Sequence, residues 1–371
     1  MVSLLKKVII LGGYGNLGSA ITKLFFLNTD CTIYITGRNF KKAQNLIQKL
    51  SGQISNERLI PLELDCLDRK GLIDAFQGKD LIINATLPET FFSIKEAVIE
   101  SGISILDLVN SPLKNKSLES FDQQIKEMGI EYRRSGSYFP GLPTLMLRYL
   151  VNDFSELEIA NFYSLVRLNW KETDFSEESL ESYLDLFLQT KQKIYKNRNW
   201  VSPEDREVQY QFPYYEKEIS CMNLYFPELK NISDEYPQIG ELGFYFNGFR
   251  KLFEHILIKP AGFILKNNYS VIKSLFANIL FMVHKFISHS FYGTYLHLDL
   301  RGKVDGKAQR RSISLYHNNS YFLPAASSFS IALEMLNDEI NQPGLSYIGK
   351  NSNPEDFFEN LSKLGITVII L

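Results

Sequence analysis

The feature that most constrains the fold is a regular alternation of strand-like and helix-like segments over the first 135 residues. Short apolar runs such as "VIIL", "TIYIT" and "LIIN" are separated by longer stretches with apolar residues three and four positions apart. Strands separated by helices of that length are typical of βαβ units, whose right-handed crossovers place the strands parallel. The sequence therefore predicts an α/β fold built on a doubly wound parallel sheet.

A cluster of glycines follows the first strand and opens the first helix. Residues 12–18 read "GGYGNLG", so Gly13, Gly15 and Gly18 match the G-x-G-x-x-G motif inside a βαβ unit. In that context the glycines allow a tight turn, close backbone approach to a pyrophosphate and helix–strand packing, which predicts a Rossmann dinucleotide site. A bare strand-to-helix turn is the alternative. The residues predicted to contact the cofactor here are Gly12, Gly13, Tyr14, Gly15, Asn16, Leu17 and Gly18.

The end of the second strand bears on which dinucleotide is bound. NAD sites commonly place an acidic residue there for the ribose 2′-OH, but residues 31–56 contain no Asp or Glu. Thr36, Arg38 and Asn39 occupy this position instead, and a guanidinium suits a 2′-phosphate. We therefore expect NADP(H) to be preferred over NAD(H). Alternatively, Arg38 and the lysines after it only solvate the start of a helix.

Two further strand ends are expected along the path of the cofactor. Asp65 and Cys66 close the third strand and are candidates to meet the adenine, although Asp65 is equally suited to cap a helix. Asn84, Ala85 and Thr86 close the fourth strand, where small residues leave room for the second half of the cofactor.

After about residue 138 the rhythm changes. The patterns predict a long strand over 156–170, a helix over 171–196, and a hairpin over 291–318 that turns at Asp305 and Gly306. Residues 200–240 have no clear period and are interpreted as a loop-rich insert; helices over 325–340 and 354–364 and a final strand follow. We expect a Rossmann domain over 1–137, a second α/β (α+β) domain over 138–320 for substrate and dimerisation, and C-terminal elements over 321–371.

Composition excludes several other classes of protein. The chain has 371 residues, 45% of them hydrophobic, and a net charge of −2, which gives no electrostatic basis for binding nucleic acid. Three scattered cysteines and five histidines lack metal-ligand spacing, so no metal site and reduced, buried thiols are expected. No signal peptide is recognisable, which predicts a cytoplasmic protein. The apolar segment 270–293 predicts a core or interface helix, with a membrane-surface helix as the alternative.

Several stretches together resemble the saccharopine dehydrogenase-like family of NAD(P)-binding oxidoreductases. They are "VIILGGYGNLGSAI", "IYITGRNFKKAQNL", "LDCLDRKGL", "DLIINATLP", "AVIESGISILDL" and "GSYFPGLPTLMLRYL", within about the first 150 residues. The resemblance implies a second domain that covers the nicotinamide end and supports a homodimer. It also implies hydride transfer to or from a C=N bond of a small substrate. The family's common Gly-Glu pair is replaced by Leu108 and Val109, and the aromatic middle of the chain is unlike a tricarboxylate pocket, so saccharopine itself is not the expected substrate.

Imine reduction requires a group that manages a proton and cations for substrate carboxylates. The candidates are Asp107 and Tyr138 for the proton, and Arg133, with Arg134 beside it, for the carboxylate. The backbone at 141–144 could bind a carboxylate as well. Each candidate has a structural alternative: a cap for Asp107, core packing for Tyr138, and surface charge for the arginines. No Tyr-x-x-x-Lys pair lies beside the cofactor strands, which argues against alcohol oxidation.

The resulting hypothesis is an NADP(H)-dependent oxidoreductase that acts on a small amino-acid-derived substrate. The alternative is an NADP(H)-binding sensor or scaffold without turnover, whose second domain binds a partner or a membrane.

Overall fold

The computed structural model describes residues 5–53, 55–109, 117–134, 136–138, 141–173, 175–177, 179–181, 191–205, 207–213, 215–247, 269–287, 292–337 and 342–371. By its internal contacts the chain divides into two compact units. The first unit comprises Met1–Leu145 and Tyr321–Leu364, and the second comprises Met146–Ser320 and Gly365–Leu371. The three-part division predicted at residues 137 and 320 stays a prediction about domains.

The N-terminal half of the described chain alternates strands with helices. Its elements are β1 (Lys7–Leu11), α1 (Asn16–Asn28), β2 (Thr32–Gly37), α2 (Phe40–Ser51), β3 (Leu59–Glu63), α3 (Arg69–Phe76), β4 (Leu81–Asn84), a 3-10 turn (Pro88–Thr90), α4 (Phe91–Ser101), β5 (Ile105–Asp107), α5 (Asp122–Glu127), β6 (Glu131–Arg134) and α6 (Gly141–Val151). The predicted strands and helices of this region are confirmed.

The remaining elements include a run of short strands. They are β7 (Glu156–Arg167), β8 (Ile194–Lys196), β9 (Asn199–Val201), β10 (Glu207–Tyr210), β11 (Ile219–Asn223), α7 (Pro227–Glu235), β12 (Ile239–Asn247), α8 (Tyr269–Ile287), β13 (Gly293–Val304), β14 (Lys307–His317), α9 (Phe322–Leu336), β15 (Gly344–Tyr347), α10 (Ile348–Asn351), α11 (Pro354–Lys363) and β16 (Thr367–Ile370).

The first unit is a seven-stranded parallel sheet in the order β3-β2-β1-β4-β5-β6-β15. Ile9 and Leu11 join an apolar cluster with residues of α3 and α4. Strand alternation sends Val8 and Ile10 to the opposite face, where α1 meets α9 through Phe25 and Phe329, whose ring centroids lie 4.9 Å apart. Helices therefore cover both faces, and the predicted Rossmann-type architecture is confirmed. The edge strand β15 was not predicted.

The second unit is built on a mixed sheet in the order β10-β11-β12-β7-β13-β14-β16, with β8 also pairing with β12. The central strand β7 runs parallel to β12 and antiparallel to β13. The predicted hairpin is confirmed: β13 and β14 pair in register and turn at Asp305 and Gly306, both with positive φ. The C-terminal strand β16 pairs with β14 and forms an edge of the second sheet, with Ile369 and Ile370 exposed.

Two predictions for the second unit were wrong. The helix predicted over 171–196 does not reach its end, because β8 and β9 form a hairpin there through Asn197 and Arg198, both with positive φ. Residues 174, 178 and 182–190 of that predicted helix lie outside the described residues. The loop-rich interpretation of 200–240 was also wrong, because four strands and α7 include residues of this range.

Candidate cofactor site

The glycine loop connects β1 to α1 in a conformation that side chains would disturb. Gly12 has a φ of +71°, and a Cβ there would lie 2.8 Å from the Ala85 carbonyl oxygen. A Cβ on Gly13 would lie 2.9 Å from the Ile10 carbonyl oxygen, and one on Gly18 would run into the Gly12 carbonyl. These glycines are therefore required by close backbone packing, independently of any ligand.

Gly15 differs from the other loop glycines. It is exposed, and a Cβ there would meet only the Gly12 carbonyl oxygen, at 3.2 Å. Its N–H closes the turn by donating to that same oxygen at 2.9 Å. Because the fold itself would tolerate a larger residue here with a small adjustment, the glycine leaves room for a group that approaches from solvent. This is the cradle expected for a pyrophosphate.

Helix α1 presents its N-terminus at this cradle. Its N-cap is Gly15, no side chain caps the helix, and its first turn has no acidic residue. The uncompensated N–H groups and the positive end of the helix dipole therefore favour an anion, so the residues present fit a dinucleotide phosphate. The loop is braced from α1 by Thr22, whose hydroxyl donates to the Gly13 carbonyl oxygen at 3.0 Å. Motif reading did not identify Thr22.

The two remaining loop residues predicted to contact cofactor lie in the first turn of α1. Leu17 is half-buried. Asn16 hydrogen-bonds the hydroxyl of Tyr321, immediately before α9; burial raises the pKa of Tyr321 and this hydrogen bond opposes the rise. Nothing in the local sequence signals this contact, because the two residues are far apart along the chain.

The carboxyl end of β2 carries the predicted specificity residues. Thr36 is fully buried and its hydroxyl donates to the Ile10 carbonyl oxygen at 3.0 Å, so its side chain ties β2 to β1. Arg38 is exposed. Asn39 caps α2 through its side-chain oxygen, which accepts a hydrogen bond from the Lys42 N–H at 3.0 Å. Tyr14 reaches this segment from the glycine loop and accepts a hydrogen bond from the Asn39 N–H at 2.9 Å.

Just after β3, the pKa of Cys66 is influenced by the charges of both Asp65 and Arg38. Asp65 is exposed and its carboxylate accepts a hydrogen bond from the Leu67 N–H at 3.0 Å. Burial raises the pKa of Cys66 to about 12; Asp65 adds to the rise and Arg38 opposes it. The thiol is therefore protonated at neutral pH, and Cys66 packs in the apolar cluster of the first unit.

At the carboxyl edge of the sheet, polar residues of three neighbouring strands stand in one row. Asn84 pairs with Asp107, and Asp107 pairs with Arg134. Asp107 is fully buried, and its carboxylate accepts hydrogen bonds from the Asn84 amide at 3.1 Å, the Val109 N–H at 3.1 Å and the Tyr132 hydroxyl. Asp107 thus caps the turn after β5 and also holds the side chains of Asn84 and Tyr132 in place.

Tyr132 was not identified from the sequence as a site residue. Burial raises its pKa well above the ordinary value, and the charge of Asp107 and the hydrogen bond to it raise it further. Tyr132 therefore stays protonated and donates to Asp107 over the whole physiological range.

The Asn84 side chain extends this network to the turn after β4. Its oxygen accepts hydrogen bonds from the Thr86 N–H at 3.1 Å and the Thr86 hydroxyl at 2.6 Å. The Thr86 hydroxyl is in turn 2.7 Å from that of Thr90. Ala85 joins the same turn to β1, because its N–H donates to the Leu11 carbonyl oxygen at 3.0 Å. The predicted cofactor residues 84–86 therefore lie in one rigid turn beside the glycine loop.

The structure places Arg133 away from this row, on the opposite face of β6. Its side chain is 0% exposed, and its guanidinium binds Glu131 and, at 3.1 Å, Glu334 of α9. Glu334 also accepts a hydrogen bond from the Ser352 hydroxyl at 2.6 Å. This buried ion-pair network holds α9 against the sheet, and this placement gives no support to the predicted contact with a substrate carboxylate. Arg134, whose ion pair with Glu119 is 3.8 Å long, is the arginine in the row of Asp107.

Tyr138 is buried, and its carbonyl oxygen accepts the Leu142 N–H at 3.1 Å in the first turn of α6. Its segment is fixed by the Ser328 hydroxyl, which donates to the Gly136 carbonyl oxygen at 2.7 Å. Ser135, Phe139 and Pro140 lie outside the described residues, so the segment that leads into α6 is described only from Gly141 onward.

Other predicted features concern metals, thiols and membranes. Within the described residues, no group of three His, Cys, Asp or Glu side chains is arranged to hold a metal ion. Cys31, Cys66 and Cys221 are buried and outside any disulfide, as predicted. Among the helices described here, none has the length and hydropathy needed to cross a membrane. Helix α8 buries Ala277 and Leu280 and exposes other apolar residues.

Comparisons with known proteins match part of the chain. The profile of the family described as "Saccharopine dehydrogenase NADP binding domain" matches residues 8–138. The NADP(+)-dependent shikimate dehydrogenase of Alkaliphilus oremlandii (strain OhILAs) is 26% identical over 125 residues, which cover 32% of this chain and 43% of that enzyme. The match thus spans less than half the length of this curated relative.

Solved structures share the fold over nearly the whole chain. Saccharopine dehydrogenase (L-Glu forming) from Saccharomyces cerevisiae superposes with a TM-score of 0.71 at 15% identity, over 99% of this chain and 100% of that one. The C. glutamicum DAP dehydrogenase in complex with DAP gives a TM-score of 0.50 at 13% identity, over 96% and 98% of the two chains. Residues 8–138 are thus of the saccharopine dehydrogenase NADP-binding domain type, and the chain as a whole has the fold of saccharopine dehydrogenase (L-Glu forming).

Proposed function

We propose that this protein is an NADP(H)-dependent oxidoreductase that transfers a hydride to or from a C=N bond of a small amino-acid-derived substrate. The observation that carries the proposal is the glycine cradle, joined to a strand end that has Arg38 and no acidic residue, in a chain whose N-terminal domain is of the saccharopine dehydrogenase NADP-binding type. The fold is shared with dehydrogenases named for saccharopine and DAP, which supports amine chemistry.

The first unit contains the residues that would hold the cofactor. The N–H groups at the start of α1 would bind the pyrophosphate, and the exposed Gly15 leaves room for it. Arg38 would pair with the 2′-phosphate, which favours NADP(H) over NAD(H). When bound, the nicotinamide supplies or accepts the hydride.

The polar residues Asn84, Asp107 and Arg134, at the carboxyl edge of the sheet, would act on the substrate at the nicotinamide end of the cofactor. Asp107 is held by Asn84, Tyr132 and the Val109 N–H, so its carboxylate has a fixed orientation. A carboxylate fixed in this way can keep an imine nitrogen protonated, which makes the imine carbon a better hydride acceptor. Arg134, in register with Asp107, would bind a substrate carboxylate in place of Arg133. Tyr138 stays a candidate for proton transfer.

Titration of the purified protein with NADPH and NADH tests the cofactor part. We expect NADPH to bind at least about tenfold more tightly, because a guanidinium–phosphate pair contributes more than an uncharged contact. The variant Arg38→Ala should weaken NADPH binding and leave NADH nearly unchanged. Lys49→Ala, at the far end of α2, is the matched control. Tighter binding of NADH, or no binding of either dinucleotide, would refute the proposal.

The reaction is tested by NADPH consumption with panels of amines and 2-oxo acids. Turnover with such a pair supports C=N reduction, and Asp107→Asn should then lower kcat far more than it weakens NADPH binding. NADPH binding without turnover on any panel would favour the non-catalytic sensor or scaffold. The predicted cytoplasmic location and homodimer stay predictions; light scattering of the full chain tests the latter.

A further inference from the structure

Tyr14 occupies an unusual position for a residue in the middle of a glycine loop. Its side chain leaves the loop and crosses to the end of β2, where its ring lies directly on Gly37. A Cβ on Gly37 would collide with the Tyr14 ring, so this glycine is required by the tyrosine. The side chain therefore joins the pyrophosphate cradle to the segment that contains Arg38.

The hydrogen bonding of Tyr14 indicates a role for its hydroxyl. The oxygen accepts a hydrogen bond from the Asn39 N–H at 2.9 Å, while the Asn39 side chain is committed to the Lys42 N–H at the start of α2. A tyrosine hydroxyl that accepts in this way keeps its own proton available for donation. Among the described residues, the Tyr14 hydroxyl accepts this hydrogen bond and donates none.

We infer that Tyr14 is a second specificity-determining residue, which forms a 2′-phosphate subsite together with Arg38. Its hydroxyl fixes the main chain on the carboxyl side of Arg38 and donates its proton to the phosphate, while the guanidinium supplies the charge. The anion would thus meet a fixed O–H donor on one side and Arg38 on the other. This inference rests on the proposed preference for NADP(H).

Calorimetric titration with two adenosine fragments tests the subsite directly. Adenosine 2′,5′-bisphosphate carries the 2′-phosphate and 5′-AMP lacks it. In Tyr14→Phe, which keeps the ring on Gly37, we expect binding of the bisphosphate to weaken about tenfold or more, as for a lost hydrogen bond to a charged group. Binding of 5′-AMP should change less than about twofold, because it makes no contact with this hydroxyl. Tyr34→Phe, in β2, is the matched control, because its ring contacts Lys79 outside the subsite.

A second variant keeps the test decisive if Tyr14→Phe is destabilised. Gly37→Ala keeps the Tyr14 hydroxyl but displaces the ring, so it should reduce the bisphosphate-to-AMP affinity ratio in the same direction. An unchanged ratio in both variants, or tighter bisphosphate binding in Tyr14→Phe, would overturn the inference. If the wild-type protein does not prefer the bisphosphate and Arg38→Ala has no effect, the cofactor preference itself fails. If Arg38→Ala abolishes the preference and Tyr14→Phe does not, only the role of Tyr14 fails.

Discussion

The two units of the protein contain sheets of similar size that are stabilised in different ways. In the first unit, every strand pairing is parallel and the strands are four to six residues long apart from the three-residue β5. In the second unit, the twelve-residue β7 pairs with β12 in parallel and with β13 in antiparallel orientation. The first sheet follows from local βαβ units, whereas the centre of the second depends on pairing between distant segments.

The two units also differ in how their buried charged groups are paired. In the first unit, Arg133, Glu131 and Glu334 form an ion-pair network closed to solvent. In the second, the buried Asp299 is paired with Arg301 and Arg310, whose side chains are 52% and 62% exposed. Because charges that stay in contact with water lose little hydration, the loss of one partner should matter much more in the first unit. Three experiments test this contrast between the two units.

The largest effect is expected for Arg133→Met. The substitution leaves Glu131 and Glu334 buried without their cation, which should lower the free energy of unfolding by about 3–5 kcal/mol. Urea unfolding followed by circular dichroism measures the loss. Arg301→Met is the matched control in the second unit and should cost less than about 1 kcal/mol, because Arg310 remains paired with Asp299. Equal losses in the two variants would show that the buried network does not stabilise the first unit in this way.

The next effect is expected from acid, in the second unit. All five histidines fall in this unit, and burial lowers the pKa of His284 and of His297 from 6.5 to about 4. The unfolded chain therefore takes up protons first as pH falls. The stability present above pH 6.5 is lost progressively down to about pH 4, by about 2 kcal/mol per histidine at pH 5.

Tryptophan fluorescence reports this loss selectively, because both tryptophans, Trp170 and Trp200, lie in the second unit. Urea midpoints at pH 7.5 and pH 5 should differ strongly for the wild-type protein. In the double variant His284→Phe, His297→Phe, which keeps both rings apolar, the difference should be much smaller. A pH dependence of equal size in that variant would contradict the assignment.

The smallest effect compares two buried tyrosine hydroxyls. Tyr132→Phe removes a donor from the Asp107 carboxylate and should cost about 2 kcal/mol, because the acceptor is charged. Tyr295→Phe removes a donor from the neutral Ser314 hydroxyl, 3.1 Å away, and should cost about 1 kcal/mol. Thermal unfolding of both variants measures the difference. A larger loss for Tyr295→Phe would reverse the ranking of the two sites.

Sequence patterns predicted the elements of the first unit more completely than those of the second. The helix α2 was correctly predicted, and its N-cap is local, because the Asn39 side chain accepts a hydrogen bond from an N–H three residues along. The strand β12 was missed because it contains Gly240 and Gly243 and is buried almost throughout, so it shows no alternation. Gly243 is needed because the Tyr245 ring and the Asn161 side-chain oxygen occupy the space where a Cβ would lie. Tyr245 lies in β12 itself, but Asn161 belongs to the neighbouring strand β7, and the local pattern gives no sign of that contact.

The hairpin of β8 and β9 was missed for a related reason. Its turn places Asn197 and Arg198 at positive φ, a conformation for which Asn-Gly would be the recognisable signal. Arg198 is a weak signal for such a turn. The pairing of β8 with β12 then holds the hairpin in place.

The sequence alone was enough to predict the strands β1–β6 with the helices between them, the glycine loop and the absence of an acidic residue beside Arg38. Each of these depends on residues close together in the chain, where spacing and local conformation are directly linked. Only the tertiary structure decided that Arg133 is paired with Glu334, that Tyr132 orients Asp107, and that Tyr14 reaches Asn39. These contacts join residues 25 or more positions apart, and they form because packing of the sheet and its helices brings those residues together.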